Sequence, residues 1–182
     1  MVSSNLLRGE KVRLTALTSR DVDIMARWWE DAYFLRHYAT DPAVPRSAEQ
    51  LSRRLDPASN NPDVYLFVIR PLGEDEPVGL VEFDGISWTN RTTWFSIGIG
   101  DAACRGRGFG TEASVLGLNF VFNELNLYRV TLSVFDYNLP AIAVYEKLGF
   151  VREGTYRQFI ERDGRRYDMY LYGLLRPEWR GQ

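Results

Sequence analysis

Three glycines on alternate positions, Gly106, Gly108 and Gly110, constrain this chain more than any other feature of its sequence. They lie in the stretch CRGRGFGTEA, between an alternating segment and an amphipathic segment at 111–125. Glycine admits backbone conformations that other residues avoid and lets a ligand approach the main chain closely. The start of a helix adds unpaired N–H groups and the positive end of the helix dipole. The pattern predicts a strand, a glycine loop and a helix whose N-terminus binds an anion, most often phosphate.

The common nucleotide-binding loops do not fit this stretch. The dinucleotide fingerprint G-x-G-x-x-G needs one more residue before its last glycine, and no acidic residue ends a strand about twenty positions later. The triphosphate loop needs a lysine after its final glycine, whereas Thr111 follows Gly110. Protein kinases are excluded by the missing lysine strand and catalytic loop. The motif alone predicts phosphate binding outside these folds, with a plain surface turn before a helix as the alternative.

The first half of the chain shows the periodicities of strands and helices. Strands are predicted at 11–17, 64–70, 78–86 and 92–100, a capped helix at 18–31 and a short helical piece at 47–55. Short polar turns separate the last three of these strands, which predicts an antiparallel meander.

The second half alternates helices and strands. A helix at 111–125, apolar on most sides, precedes a strand at 129–135. A second helix at 138–150 has Asn138 as its N-cap and Gly149 at its C-terminal end. Two further strand patterns are joined by Asp163-Gly164, a strong hairpin signal. These patterns predict an α+β chain of roughly seven strands, with βαβ-like crossings in its second half.

Composition narrows the class of protein. A chain of 182 residues with 45% apolar residues suits one domain with a substantial core. A net charge of −2 argues against a nucleic-acid binder with a basic face. The single cysteine permits no internal disulfide, and no metal-ligand spacing is present, so no metal is expected. No signal peptide or membrane-spanning run is visible, so we expect a cytoplasmic protein with no membrane partner.

The stretch Arg105–Gly110 resembles the Arg/Gln-x-x-Gly-x-Gly/Ala loop of the GNAT superfamily of N-acetyltransferases. The segment NLYRVTLSVFDYNLPAIAVYEKLGFVREG resembles the family's next strand, its Asn-initiated helix and the Leu-Gly-Phe turn. The closing DMYLYGLLRPEW is similar to the end of the RimJ/RimL-type subgroup. The resemblance implies one GNAT domain over residues 1–182, with a mixed, mostly antiparallel sheet, a β-bulge and a pyrophosphate loop. It also implies acetyl-CoA as co-substrate and no metal.

The resemblance implies a set of residues that hold acetyl-CoA. Loop amides and arginines would bind the pyrophosphate, and a strand bulged at Gly98 would pair with the pantetheine arm. Asn138 would bond the pantetheine as well as cap its helix. The implied cofactor-binding residues are Phe95, Ser96, Ile97, Gly98, Ile99, Arg105, Gly106, Arg107, Gly108, Phe109, Gly110, Thr111, Asn138, Ala141 and Tyr145.

Acetyl transfer to an amine also needs groups that move protons. Tyr145 matches the family's tyrosine near the sulfur and would donate to the departing thiolate, although such a tyrosine can also simply pack. Glu82 would accept the proton of the amine with help from Asp84, which lies on the same strand face; a solvated strand face is the alternative. Trp29 and Tyr33 would line the acceptor site. Glu112, at a helix start, is expected to stabilise the helix dipole.

Two other classes of function remain alongside the acetyltransferase. A catalytically silent acyl-CoA-binding regulatory domain has the same fold, since fold does not imply activity. A nicotinamide-dependent enzyme is the weaker alternative, because this chain lacks the glycine spacing of the dinucleotide-binding motif. Cys104 and His37 are not favoured as a nucleophile and base, since no orienting partner is visible. The expected acceptor is a protein N-terminal α-amine or a small-molecule amine, with polyamines and aminoglycosides as alternatives, and the protein is expected to be a monomer or homodimer.

Overall fold

The computed structural model describes residues 5–53 and 61–181. Its strands are β1 (Val12–Thr15), β2 (Tyr65–Pro71), β3 (Gly79–Ser87), β4 (Thr92–Ile99), β5 (Arg129–Phe135), β6 (Val151–Arg162) and β7 (Arg165–Leu175). Within these ranges the strands form one seven-stranded sheet in the order β1-β2-β3-β4-β5-β7-β6. The first four form an antiparallel meander, β4 and β5 are parallel, and β7 is antiparallel to both of its neighbours. The predicted α+β fold with a mostly antiparallel sheet of seven strands is confirmed.

Helices cover both faces of this sheet. They are α1 (Ser19–Trp28), α2 (Ala32–Tyr38), α3 (residues 48–53), α4 (Phe109–Asn119) and α5 (Leu139–Lys147), and a π-helical turn at Phe120–Glu124 continues α4. The predicted helical piece at 47–55 coincides with α3, and its last two residues lie outside the described residues. The crossings β4–α4–β5 and β5–α5–β6 confirm the predicted βαβ-like pattern.

A buried ion pair fixes α1 to β2. Asp21 accepts hydrogen bonds from the backbone N and the hydroxyl of Thr18, both at 2.8 Å, which closes the first turn of α1. Both oxygens of the same carboxylate accept from Nη2 of Arg70 on β2, again at 2.8 Å. Asp21 and Arg70 are only 3% and 8% exposed. Because removing one partner would leave a buried charge uncompensated, this pair sets where α1 lies on the sheet.

The sheet has an apolar core on each face, since successive side chains of a strand point to opposite faces. On one face, α4 and α5 pack over a core that includes Val81 and Phe83 of β3. On the other face, α1 and α2 pack over Leu80. Glu82 and Asp84 share the alternation of Leu80, so they lie on the α1–α2 face.

The carboxylate of Glu112 joins α4 to the start of β1. Its Oε1 accepts from the backbone N of Glu10 at 3.0 Å, and its Oε2 accepts from the backbone N of Lys11 and of Val12 at 2.8 and 2.7 Å. The expected role at the helix dipole is therefore incomplete: the side chain holds three amides of a neighbouring strand. Sequence separation of about a hundred residues hid this contact.

The parallel pairing of β4 with β5 is short. Only Thr92–Trp94 pair with Arg129–Thr131, and beyond Trp94 the two strands diverge. The edge of β4 that faces β5 is therefore open from Phe95 onward. This divergence opens the sheet near its centre and creates the space in which a ligand can reach the strand backbone.

The bulge predicted at Gly98 is not there. Gly98 pairs in register with Leu80, and the register shift between β3 and β4 lies instead at Asp84–Ser87, where Gly85 has a φ of +55°. Gly98 is needed for a different reason: a Cβ at this position would lie 2.8 Å from the ring of Phe34 and 2.9 Å from that of Tyr38. The glycine lets the aromatic side chains of α2 pack closely on β4.

Candidate active site

A cleft of about 580 Å³ opens where β4 and β5 diverge. Residues 94–99 of β4 and 133–135 of β5 form two of its walls. The glycine loop with the start of α4, the aromatic side of α2, and α5 form the others. The structure thus brings the loop, the strand before it and the helix after Asn138 around one cavity.

The glycine loop presents the start of α4 to this cleft. The φ angles of Gly106 and Gly108 are +73° and +83°, a region that favours glycine. Gly108 is the N-cap, so α4 begins at Phe109, two residues before the predicted start. The first hydrogen bond within the helix runs from Glu112 N to Gly108 O. The amides of residues 109–111 precede it and have no acceptor inside the helix, which is the arrangement an anion site requires.

Gly110 differs from the other two glycines of the loop. It lines the cleft, and its φ is not positive. A Cβ there would meet only the Ile99 side chain, at 3.5 Å, an ordinary contact. The fold therefore tolerates a side chain at this position, and the absence of one leaves the backbone open to close approach from the cleft.

Arg105 lines the cleft, and its guanidinium makes three hydrogen bonds within the protein. Nε donates to the carbonyl of Ile99 at 3.1 Å, and Nη2 donates to the carbonyl of Gly100 at 2.9 Å and to Asp31 at 2.6 Å. The guanidinium also lies 5.0 Å from the centre of the Tyr33 ring. These contacts tie the end of β4 to the start of α2, so Arg105 orders the site in addition to any contact with phosphate.

Two further cations flank the loop. Arg107 is exposed and does not line the cleft; its guanidinium lies 4.7 Å from the centre of the Phe109 ring. Lys11, which the sequence did not single out, places Nζ 3.1 Å from where a Cβ of Gly108 would be. An exposed ammonium beside the N-cap of α4 adds to the positive potential of the helix start. The predicted role of Arg107 at the pyrophosphate stays a prediction.

Tyr145 lies on α5 and lines the cleft, although only 7% of it is exposed. Its ring packs at 6.3 Å from Phe95 and 5.9 Å from Phe150, measured between ring centres. Burial raises the pKa of the Tyr145 phenol well above its ordinary value of about 10. The side chain is thus both a core residue and a protonated hydroxyl at the wall of the cleft.

Asn138 lines the cleft as the N-cap of α5. Its Oδ1 accepts from the backbone N of Ala141 at 3.4 Å, which confirms the predicted cap. Its Nδ2 donates to the carbonyl of His37 at 3.5 Å, so it also connects α5 to the end of α2. Ala141 lines the cleft beside it.

Glu82 and Asp84, the predicted proton acceptor and its neighbour, lie beside the cleft without lining it. Their cross-strand partners on β4 are Ser96 and Trp94, which do line it. Both carboxylates therefore lie on β3, one strand away from the wall of the cleft that β4 forms. Burial raises the pKa of the Asp84 carboxyl above its usual value. This arrangement does not favour direct contact between either carboxylate and a ligand in the cleft.

The two aromatic residues predicted for the acceptor site lie in different surroundings. Tyr33 is 52% exposed and lines the cleft. Trp29 is only 5% exposed, and its ring packs against Phe34 and Tyr38 at 5.3 and 6.1 Å. Trp29 therefore does not line the cleft, because the aromatic packing between α1 and α2 buries it, and its role in the acceptor site stays a prediction.

Sequence reasoning missed several residues of the cleft. These include Thr40 after α2, Trp94 on β4, Ser114 on α4, Ser133, Val134 and Phe135 on β5, and Met169 on β7. Alternation along β4 would have placed Trp94 on the face of Ser96. The β5 residues carry no such signal, because the divergence of β4 and β5 is a property of the sheet.

A second cavity, of about 450 Å³, adjoins the cleft between α2 and the β6–β7 hairpin. Tyr33 and His37 line both cavities. The other residues of the second cavity are Ala32, Arg36, Tyr137, Arg162 and Tyr167. Nη2 of Arg162 donates to the backbone carbonyls of residues 39, 40 and 41 and so holds the chain that follows α2. In the described part of the chain, neither cavity is lined by Asp or Glu.

Two further features of the molecule concern the expected partners. Among residues 5–53 and 61–181, no group of histidine, cysteine, aspartate and glutamate side chains is arranged to hold a metal ion. Within the same ranges, no helix combines the length and apolar character needed to cross a bilayer.

Known proteins resemble this chain over most of its length. A family model described as an acetyltransferase (GNAT) domain matches residues 11–151. The N-acetyltransferase p20 of Bacillus licheniformis is 27% identical over 173 residues, which cover 94% of this chain and 97% of the relative. The spermidine N(1)-acetyltransferase of Escherichia coli (strain K12) is 31% identical over 148 residues, which cover 81% of this chain and 72% of the relative.

Solved structures give the same result for the fold. The spermidine N-acetyltransferase of Vibrio cholerae, in complex with CoA and spermine, matches with a TM-score of 0.83 at 24% identity and covers 92% of this chain and 96% of its own. The family model spans the glycine loop, the divergent strands and α5, which together form the cleft. This chain therefore belongs to the GNAT family of acetyl-CoA-dependent N-acetyltransferases.

Proposed function

We propose that the protein transfers an acetyl group from acetyl-CoA directly to the primary amine of a small molecule or peptide, with both substrates bound at once. The observation that carries this proposal is the single cleft in which the open edge of β4, the start of α4 and Tyr145 meet. Acetyl-CoA supplies an acyl thioester that an amine attacks without a metal.

The residues of the cleft suit the parts of such a ligand. The amides of residues 109–111 and the Lys11 ammonium suit the pyrophosphate. The open edge of β4, from Phe95 to Ile99, suits main-chain hydrogen bonds to the amides of the pantetheine arm. Asn138 and Ala141, at the start of α5, suit contacts to the same arm. The start of α4, the open edge of β4 and the start of α5 would thus all contact acetyl-CoA.

The proposed role of Tyr145 is to donate a hydrogen bond to the thiolate as it leaves. A phenol with a raised pKa keeps its proton throughout the neutral range, so the donor is always present. The role of Glu82 as proton acceptor, with help from Asp84, stays a prediction. Since neither carboxylate lines the cleft, Glu82 would act through a water beside Ser96.

Polyamines are the second candidate class of acceptor. The observation that favours them is the 31% identity to the spermidine N(1)-acetyltransferase of Escherichia coli. N-terminal α-amines, aminoglycosides, membership of the RimJ/RimL-type subgroup, a cytoplasmic location and a monomeric or homodimeric state all remain predictions.

An acetylation screen with matched glycine variants tests the proposal. Release of CoA from acetyl-CoA is measured with N-terminal peptides, spermidine and aminoglycosides, and CoA affinity by calorimetry. Gly110→Ala places a methyl group in the cleft without straining the fold, so CoA affinity should fall by about tenfold or more, roughly 1.4 kcal/mol. Gly154→Ala, on β6 and equally free of a close contact, is the control. CoA binding without acetylation of any amine would instead identify a silent acyl-CoA-binding domain.

A further inference from the structure

His37 is the only histidine of the chain, and it lines both the cleft and the second cavity. It lies one residue before the end of α2. An amine bound in either cavity would lie beside this side chain. The position raises the question of what its imidazole does there.

The imidazole is held in one orientation. Nδ1 lies 2.7 Å from the backbone oxygen of Tyr33, and because a carbonyl oxygen can only accept, Nδ1 carries the proton in this contact. The ring stacks on that of Tyr33, 4.0 Å between centres, and meets the edge of Tyr137 at 5.3 Å. The backbone oxygen of His37 accepts from Asn138. The orienting partner that the sequence did not reveal is therefore present, and Nε2 keeps the free lone pair of the neutral ring.

We propose that Nε2 of His37 is the group that takes the proton from the acceptor amine; this rests on the proposed acetyl transfer. Nε2 takes a proton from the bound ammonium, and the imidazolium then releases that proton to solvent. The neutral amine nitrogen bonds to the acetyl carbon, the carbon–sulfur bond of the thioester breaks, and the second proton of the nitrogen is lost to solvent. The sulfur leaves with the electron pair of the broken bond and is protonated from solvent, with Tyr145 as hydrogen-bond donor.

Among the described residues, no Asp or Glu lines either of the cavities that His37 lines. From α2, Tyr33 and Arg36 face His37, and Arg36 is paired with Asp163 at 2.5 Å. From the other elements, Tyr137 after β5, Arg162 on β6 and Tyr167 on β7 line the same cavity. The guanidinium of Arg105 lies over the Tyr33 ring, which stacks on the imidazole of His37. Glu82 and Asp84 lie one strand behind the cleft wall, whereas His37 forms part of that wall.

His37→Asn separates proton transfer from positioning. The asparagine amide can still donate to the Tyr33 carbonyl, as Nδ1 does, but it has no basic nitrogen. We expect kcat/KM at neutral pH to fall by about a hundred- to ten-thousandfold, the range for losing a general base. The loss should shrink at high pH, where the amine is already neutral. CoA affinity and thermal midpoint should stay near wild type, and added imidazole should restore activity to His37→Ala.

Because the chain has a single histidine, NMR can follow its titration directly in the complex with CoA. The midpoint of that titration should coincide with the acid limb of kcat for the wild type, and that limb should vanish in His37→Asn. Two results overturn the proposal: an acid limb that persists in His37→Asn, or one that is lost in Glu82→Gln instead. If the wild type turns over none of the amines tested, the proposed function itself is overturned. The results with the variants bear only on the role of His37.

Discussion

The hydroxyl of Tyr145 combines two properties that oppose each other in acid catalysis. Burial raises its pKa, so the proton is always in place. A thiol titrates near 8.5, well below a phenol at about 10 or higher, so complete transfer from Tyr145 to a thiolate is uphill. A hydrogen bond to the developing negative charge avoids that cost, since the phenol keeps its proton. We therefore propose that Tyr145 acts as a hydrogen-bond donor rather than as a proton donor.

Replacing Tyr145 with phenylalanine tests this role. The ring and its packing on Phe95 and Phe150 remain, so the thermal midpoint should change little. Turnover should fall by roughly ten- to a thousandfold, with CoA affinity almost unchanged. The shape of the pH profile in the neutral range should also be preserved, because the phenol does not titrate there. Wild-type turnover in this variant would make Tyr145 a packing residue only.

Among the elements, β1 depends on a side chain from a helix a hundred residues away. Glu112 on α4 accepts three amides at the start of β1, and Gly9 leaves room for its carboxylate. Glu112→Ala should lower the free energy of unfolding by about 1–3 kcal/mol, the cost of leaving such donors without an acceptor. Glu112→Gln, which keeps one oxygen, should lose less.

Urea denaturation measures this difference, with Glu124→Ala as the control. Glu124 is an exposed glutamate in the helical turn that continues α4. If Glu112→Ala lowers the free energy of unfolding no more than the control does, the three amides bond to water as well as they bond to the carboxylate.

The elements also show which features the sequence could predict. Caps and turns are local, so the Asn138 cap and the Asp163-Gly164 turn, with φ of +52° and +72°, were predicted, although α4 begins two residues earlier than expected. The divergence of β4 from β5 is a property of paired strands and has no local signal. Gly98 illustrates the limit: the glycine was noticed, but its cause, the rings of α2, comes from a distant segment. The role proposed for His37 depends on the same long-range packing.

At the scale of the whole molecule, α2 connects the two sides of the cleft. At its start, the N-cap Asp31 is paired with Arg105 of the glycine loop at 2.6 Å. Near its end, Arg36 is paired with Asp163 in the β6–β7 turn, and its backbone oxygen accepts from the Tyr137 hydroxyl at 2.6 Å. A ligand in the cleft would contact both sides of the divergent sheet as well as α2. Its binding should therefore stabilise the fold as a unit.

Coenzyme A should raise the thermal midpoint of the whole protein. A ligand that binds only the folded state adds about 2.7 kcal/mol at a hundred times its Kd, and a domain of this size gains about 2–4 °C per kcal/mol, so we expect a rise of about 5–10 °C. Differential scanning calorimetry measures it, and a single transition should persist because α2 joins both sides of the cleft. NADH should give no rise, since the loop lacks the dinucleotide spacing. With a CoA affinity tenfold lower, Gly110→Ala should lose about half of the shift at the same CoA concentration while keeping its own midpoint without ligand. An equal rise with NADH would contradict the assignment of the loop, and two separate transitions with CoA would contradict the connecting role of α2.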